Sequence, residues 1–329
     1  MGMLLLDRAG LEVRYADGAL AMYEEGMRRS TVPVKLIDRL VIQGARTRIE
    51  SGALMHLAEA GVPTLFLSPR MSRQVAVVLG PAHNDAAIRL AQGRFAFDHA
   101  FCDQWARGIV VAKLRRQHRL IREAEASRPQ RRKALHDARI GIACALHAID
   151  ETPDCACACL RGLEGSAARA YFGGLVALFA PELGFGGRNR RPPRDPVNVC
   201  LSLGYTLLHF EAVRAAHKAG IDPLIGFYHR PAFGRESLAC DLIEPLRPAV
   251  DRWLIGLFRT ETLRAAHFSQ DREACLLGKA GRSHFYEAWA AFTPVLQRWL
   301  RAVCMRLIRR LRQAGEPLLE RFEDLEDYL

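Results

Sequence analysis

The apolar residues of this chain change their spacing once, near Gly80-Pro81. Before that point, short β-type runs such as Glu12–Tyr15 and Ala19–Tyr23 alternate with turn residues, and the Asp-Gly pair between them is typical of a hairpin. After it, the 3.6-residue period of helices persists for most of the chain. The sequence therefore predicts an α+β protein, with a small β-rich domain over residues 1–82 and a larger all-α domain over residues 83–329.

Two local signals predict where helices of the second part begin and break. Asp195-Pro196 combines an N-cap with proline at the first helical position, which is a start signal for a long helix. Pro245 and Pro248 each lack a backbone N–H, so we expect them to interrupt the helix that begins near Ser237.

Several classes of protein are disfavoured by what the sequence lacks. Nine cysteines are scattered singly and no secretory signal is present, which predicts reduced thiols and a cytoplasmic protein. No apolar run approaches ~20 residues, so we expect no membrane span. There is no GxxxxGK(S/T) phosphate-binding loop, so nothing indicates ATP hydrolysis.

Positive charge is concentrated in a few arginine clusters. The chain carries 47 Lys plus Arg against 36 Asp plus Glu, a net charge of +11. The segment GRNRRPPRDP is a stiff cationic loop whose guanidinium groups suit phosphate oxygens. It predicts nucleic-acid contacts at Arg188, Arg190, Arg191 and Arg194. The alternative reading is a solvated surface loop.

A candidate metal site lies between Gly226 and Pro248. His229 precedes Asp241 and Glu244, and two acids three residues apart lie on one face of a helix. Imidazole plus carboxylates is a ligand set suited to Mn²⁺ and acceptable to Mg²⁺ when water completes the shell. Such a site needs a further ligand, for which Glu164 is a candidate. Taken alone, His229 is also compatible with a core histidine, Asp241 with an acid balanced by an arginine, and Glu164 with a solvated surface residue.

Three segments together identify a family. In order, they are RGLEGSAARAYF, RNRRPPRDPVNVCLSLGYTLL and GIDPLIGFYHRPAFGRESLACDLIEPLRP. They resemble the CRISPR-associated Cas1 integrases of spacer acquisition, most specifically from Arg161 to Pro248. The resemblance implies a β-rich N-terminal domain, a helical C-terminal domain, a homodimer and a partner called Cas2. It carries the family's metal ligands over to three residues and a supporting acid to a fourth: Glu164, His229 and Glu244, then Asp241.

The resemblance also implies a reaction. A free 3′-hydroxyl of a short DNA, double-stranded with single-stranded 3′ ends, is joined to a phosphodiester of the CRISPR array with Mg²⁺ or Mn²⁺ as cofactor. One ester replaces another, which agrees with the missing phosphate-binding loop. Arg235 joins the four loop arginines as a predicted DNA contact. The alternatives are a hydrolytic nuclease for branched DNA and a catalytically silent DNA-binding scaffold.

Overall fold

The structure is a computed structural model of the 329-residue chain. It describes residues 2–44, 46–68, 74–81, 85–189 and 192–326, with side chains up to residue 320. Within these ranges, contacts group the chain into two compact units, residues 1–83 with 282–294 and residues 84–281 with 295–329. The sequence-based boundary between residues 82 and 83 lies outside the described residues and stays a prediction.

The described residues up to 81 form two four-stranded sheets and one α-helix. The elements are β1 (Gly2–Leu6), β2 (Glu12–Ala16), β3 (Ala19–Glu24), β4 (Met27–Pro33), β5 (Ile37–Ile42), β6 (Arg48–Ile49), α1 (Ser51–Glu59), β7 (Thr64–Leu67) and β8 (Gln74–Val78). One sheet has the order β1-β5-β7-β8 and the other β4-β3-β2-β6. In the first sheet, β1, β5 and β7 are parallel, and β8 adds an antiparallel edge.

The hairpin predicted from Asp-Gly is confirmed. β2 and β3 pair antiparallel, with Ala16 opposite Ala19. Asp17 and Gly18 both have positive φ, 51° and 75°, as a two-residue turn with right-handed strand twist requires. Alternate residues of the two strands then enter one apolar core, in which Val13 and Leu20 are fully buried.

The second unit is largely helical. Its elements are α2 (Ala86–Phe97), α3 (His99–Ser127), α4 (Arg132–Asp150), α5 (Cys157–Val176), α6 (Pro196–Lys218), α7 (Ser237–Ile243), α8 (Arg247–Arg259), β9 (Phe268–Asp271), β10 (Ala274–Leu277) and α9 (Lys279–Glu326). Residues 282–294 of α9 group with the first unit. None of the described helices is long and apolar enough to cross a membrane.

The start of α6 and the break at Pro245 are confirmed, whereas Pro248 lies in the first turn of α8 and does not interrupt a helix. Asp195 caps α6 by accepting a hydrogen bond from Asn198 N at 2.9 Å, and Pro196 is the first helical residue. The helix from Ser237 stops at Ile243, and a short 3-10 turn over Glu244–Leu246, with proline inside it, leads into α8. The break lets Glu244 leave the axis of α7.

Within the largely helical second part, the structure adds a short antiparallel hairpin of β9 and β10 that the sequence did not predict, and Cys275 N donates to Pro193 O at 2.9 Å. Its alternating burial has the period of a strand, but four residues are too few to reveal it in a helical context. The cysteines are not all reduced, because Cys155 and Cys159 form a disulfide with Cα atoms 5.7 Å apart. Cys155 lies two residues before α5 and Cys159 in its first turn, at a Cα separation that suits a disulfide.

Candidate active site

Two of the predicted ligands meet around a lysine. Glu164 lies in the middle of α5, and Glu244 lies in the break between α7 and α8. Lys113, from α3, places Nζ 2.5 Å from Glu164 Oε1 and 2.6 Å from Glu244 Oε2. Lys113 is 12% exposed, against 16% and 6% for the two glutamates, so this is a largely buried ion-paired cluster. Sequence reasoning missed Lys113.

The charges in this cluster stabilise one another. Burial raises the pKa of Glu244, but Arg247 and Lys113 lower it more, to about 2. Arg247 Nε lies 2.8 Å from Glu244 Oε1. Burial lowers the pKa of Lys113, while Glu244 and Glu164 raise it above its usual value. These two shifts favour the charged forms of Lys113 and Glu244, which lie side by side in the cluster.

Asp241 organises the loop that carries His229. Its fully buried carboxylate accepts hydrogen bonds from Phe227 N at 2.8 Å, Tyr228 N at 3.0 Å and His229 N at 2.8 Å. It also lies 2.8 Å from His229 Nδ1. A carboxylate oxygen accepts hydrogen bonds, so Nδ1 is the donor to Asp241, and Nε2 is the ring nitrogen left for a metal. Asp241 thus fixes the tautomer that a metal ligand needs.

Gly226 allows this loop to lie close to α7. A Cβ at residue 226 would be 2.6 Å from Ser237 C, 2.7 Å from His229 O and 2.8 Å from Leu238 N. All three are backbone atoms, which have little room to move, so a side chain here would push the histidine loop away from the helix carrying Asp241.

Tyr228 and Arg161 support Glu164. Tyr228 OH donates a hydrogen bond to Glu164 Oε2, and its ring is buried. Burial, and after it the charge of Glu164, raise the pKa of Tyr228 well above its usual range, so it remains a donor. Arg161 donates to Tyr228 O at 3.0 Å and lies over the tyrosine ring, 5.6 Å from its centre. Neither residue stood out in the sequence.

The cluster has the donor chemistry of a divalent-cation site. Among the residues that the structure describes, no three His, Cys, Asp or Glu side chains are grouped as metal ligands. The position between the two carboxylates instead holds the Lys113 ammonium, which stands in for a cation there. The ring of His229 lies 5.0 Å from the ring of Tyr228, whose hydroxyl donates to Glu164, so the imidazole lies next to this cluster. Two carboxylates and a neutral imidazole nitrogen fit Mn²⁺ or Mg²⁺.

Arg188 contacts other residues of the protein. Its guanidinium donates to Asn198 Oδ1 at 2.8 Å and to Ser202 Oγ at 3.1 Å. It also lies over the ring of Tyr205, 5.7 Å from the centre. Three contacts on α6 therefore anchor the start of the arginine loop to the protein.

The other predicted DNA contacts are in varied surroundings. Arg194 is exposed, and its Nη2 lies 3.3 Å from Glu273 Oε2. Arg235 is half-buried and donates to Ser237 Oγ at 3.2 Å and to Arg230 O. Two further arginines, 190 and 191, lie outside the described residues. DNA contact by these arginines stays a prediction.

Comparison with known proteins gives the family. A family model described as CRISPR associated protein Cas1 matches residues 4–291, which is most of the chain. The chain belongs to the Cas1 family. A relative from Thermodesulfovibrio yellowstonii, called CRISPR-associated endonuclease Cas1 1, is 34% identical over 302 residues, covering 91% of this chain and 92% of its own. A Thermus thermophilus protein of the same description is 34% identical over 280 residues, covering 85% of this chain and 82% of its own.

Solved structures share this Cas1 fold. A CAS1 protein from Thermotoga maritima superposes with a TM-score of 0.80 at 21% identity, covering 94% of this chain and 97% of its own. A casposase bound to integration product gives a TM-score of 0.80 at 20% identity, covering 96% and 94%. The predicted architecture, a β-rich N-terminal part and a largely helical C-terminal part, is therefore confirmed.

Proposed function

We propose that this Cas1-family chain is a divalent-metal-dependent DNA endonuclease and integrase of CRISPR adaptation. The observation that carries the proposal is the buried pair of carboxylates, Glu164 and Glu244, which converge on one cation beside an imidazole of fixed tautomer. The relatives named endonucleases support the nuclease part. The integrase part is supported by the family resemblance and by the likeness to the casposase.

Glu164, Glu244 and His229 would hold the ion, which when bound supplies positive charge to a phosphodiester and its reacting oxygens. Asp241 would hold the proton of the neutral ring on Nδ1 of His229 and so leave Nε2 for ligation. Lys113 would give up its position between the carboxylates and remain as a nearby positive charge for the phosphate.

The proposed reaction is a transesterification. The oxygen of a DNA 3′-hydroxyl forms a bond to phosphorus and loses its proton, and the bond from phosphorus to the 3′-oxygen of the target strand breaks. The leaving oxygen takes up a proton, so that ester bonds and charges balance and no nucleotide is consumed. Water in place of the 3′-hydroxyl gives the hydrolytic alternative.

The proposed partners are DNA with single-stranded 3′ ends, a second copy of this chain, and Cas2. A Cas6-RT-Cas1–Cas2 complex is similar in fold over 94% of this chain, with a TM-score of 0.78, and supports the Cas2 proposal. Exposed Arg194 and half-buried Arg235 are proposed phosphate contacts, together with the arginines of the loop.

The test is a joining assay. A labelled duplex with free 3′-hydroxyls is incubated with a plasmid carrying a repeat array, with Cas2, in Mg²⁺, in Mn²⁺ and in chelator. Glu164→Gln, His229→Ala and Glu244→Gln should each abolish joining in either metal while leaving duplex binding nearly intact. Matched controls are Glu151→Gln and His147→Ala, which change an exposed ion pair.

Each outcome separates the readings. Full joining by His229→Ala in both metals would refute the site. Cleavage of the plasmid without joined product would favour the hydrolytic nuclease. DNA binding that is lost on chelation, with no turnover in any metal, would favour the scaffold.

A further inference from the structure

A rigid turn presents a phenylalanine ring to solvent close to the candidate site. Ala232 and Arg235 form an antiparallel bridge, and Gly234 takes the positive φ, 67°, that closes the turn. Phe233, at the tip, is 109% exposed, more than any other large apolar side chain in the described part of the chain. A ring in this position contributes nothing to the packing of the fold, although exposing it to water is unfavourable.

Side-chain hydrogen bonds hold the turn in shape. Arg235 donates from Nε to Ser237 Oγ at 3.2 Å and from Nη2 to Arg230 O. Ser237 Oγ, which is fully buried, lies 3.0 Å from the same Arg230 oxygen. The base of the turn is therefore closed on itself and tied to the start of α7. A ring on such a turn loses little conformational freedom when a ligand binds to it.

The surroundings of the ring are cationic and close to the reacting centre. Exposed Arg230 and half-buried Arg235 flank the turn. Phe233 is four residues from His229, whose ring is fixed by Asp241. The tip lies three residues beyond Arg230, so the two Cα atoms are at most about 10 Å apart.

We propose that Phe233 is a stacking platform for the base of an unpaired nucleotide beside the candidate active site, with Arg230 and Arg235 facing the backbone phosphates of that strand. The proposal rests on the proposed function, because it takes DNA as the ligand. A base inside a duplex already has both faces stacked, whereas an unpaired base offers an open π-face to an aromatic ring. A nucleotide offers both a base for the ring and a phosphate anion for the arginines. An apolar protein surface offers no anion and is therefore a poorer ligand.

The experiment compares two DNAs on the full-length protein in chelator. Both have the same duplex, and one adds an unpaired 3′ tail with 2-aminopurine in it. Binding is followed by anisotropy, and stacking by quenching of the 2-aminopurine fluorescence. Phe233→Ala should weaken binding of the tailed DNA by roughly 5- to 150-fold, the loss of one aromatic stack, and should abolish the quenching. The affinity of Phe233→Ala for the blunt duplex should remain within about twofold of the wild-type affinity.

Two further variants make the result specific. Phe233→Trp keeps an aromatic face and should retain binding of the tail. Phe97→Ala makes the same deletion at another exposed phenylalanine, 86% exposed at the end of α2, and should change neither DNA's affinity.

Unchanged binding of tailed DNA by Phe233→Ala overturns the proposal, as does an equal loss on both DNAs or the same loss in Phe97→Ala. Joining by the wild type is measured in parallel. A protein that joins DNA but loses nothing on Phe233→Ala refutes the stacking site and leaves the proposed function intact. A wild type that neither binds nor joins DNA refutes both.

Discussion

Replacing Lys113 by methionine tests the electrostatics of the candidate site directly. Methionine keeps most of the volume of the side chain and removes its charge. In the wild type, the ammonium contacts Glu164 at 2.5 Å and Glu244 at 2.6 Å, in a cluster where each side chain is at most 16% exposed. Without it, two neighbouring carboxylates face each other in a poorly solvated space.

The expected magnitude follows from the remaining partners. Removing one partner of a buried ion pair costs about 3–5 kcal/mol, because the other charge stays buried. Here Glu244 keeps Arg247 at 2.8 Å, and Glu164 keeps the hydroxyl of Tyr228. We therefore expect the lower end, a loss of about 3 kcal/mol in the free energy of unfolding in chelator.

Mn²⁺ should reverse much of this loss. In the wild type an incoming ion must displace the ammonium, whereas in Lys113→Met the carboxylates are ready to bind it. Mn²⁺ should therefore stabilise the variant more than the wild type and bind it at least tenfold more tightly, since about 1.4 kcal/mol corresponds to a factor of ten. Urea unfolding with and without Mn²⁺, and calorimetric titration of the ion, measure the two effects.

The matched control is Lys133→Met, which removes an exposed lysine of α4 and should change stability by no more than about 0.5 kcal/mol. Two results would refute the reasoning. One is a Lys113→Met protein as stable as the wild type in chelator. The other is an equal stabilisation of both proteins by Mn²⁺.

Four further predictions concern other residues of the second unit. Asp241→Asn should reduce joining by about 10–100-fold with duplex binding kept, because the proton position on the His229 ring is no longer fixed; full activity in the joining assay would contradict this. Arg194→Ala should lower the slope of log affinity against log salt by about 0.9 on two unrelated duplexes, and an unchanged slope would refute the phosphate contact. Arg188→Ala should lower the free energy of unfolding by about 1.5–3 kcal/mol, because its guanidinium binds side chains of α6. An unchanged stability in urea unfolding would refute that role. Burial lowers the pKa of His209, but hydrogen bonds to Cys240 and Glu236 raise it to about 9. The wild type should therefore have a free energy of unfolding up to about 3 kcal/mol larger than that of His209→Gln below pH 6.5, and this difference should disappear as the pH rises through about 9. A difference in urea unfolding that does not depend on pH would contradict this prediction.

The contact between His209 and Glu236 could not be predicted from the sequence, although the segment that contains Glu236 was singled out there. Its Nε2 lies 2.6 Å from Glu236 Oε2, across 27 residues. Glu236 begins the loop-to-helix junction that the sequence singled out for its acids, but nothing in the spacing relates it to a histidine of α6. The spacing of apolar residues predicts which face of a helix is buried, but it does not predict which other element packs against that face.

Features set by neighbouring residues were determined by the sequence itself. Asp17-Gly18 closes a hairpin because both residues tolerate positive φ. Asp195-Pro196 begins α6 because the carboxylate reaches an amide three residues on. Pro245 ends α7 because it has no N–H to donate. Such interactions span a few residues, so the sequence contains both partners side by side.

Only the tertiary structure decided what surrounds the acids. Lys113 lies 51 residues from Glu164 and 131 residues from Glu244, and in the sequence it is one more basic residue of an arginine-rich helix. Arg188 is a predicted phosphate contact, and only the structure shows that its guanidinium also donates to Asn198. The role of a charged side chain depends on its ion-pair partner and on how far it is desolvated, and both are decided when distant helices pack together.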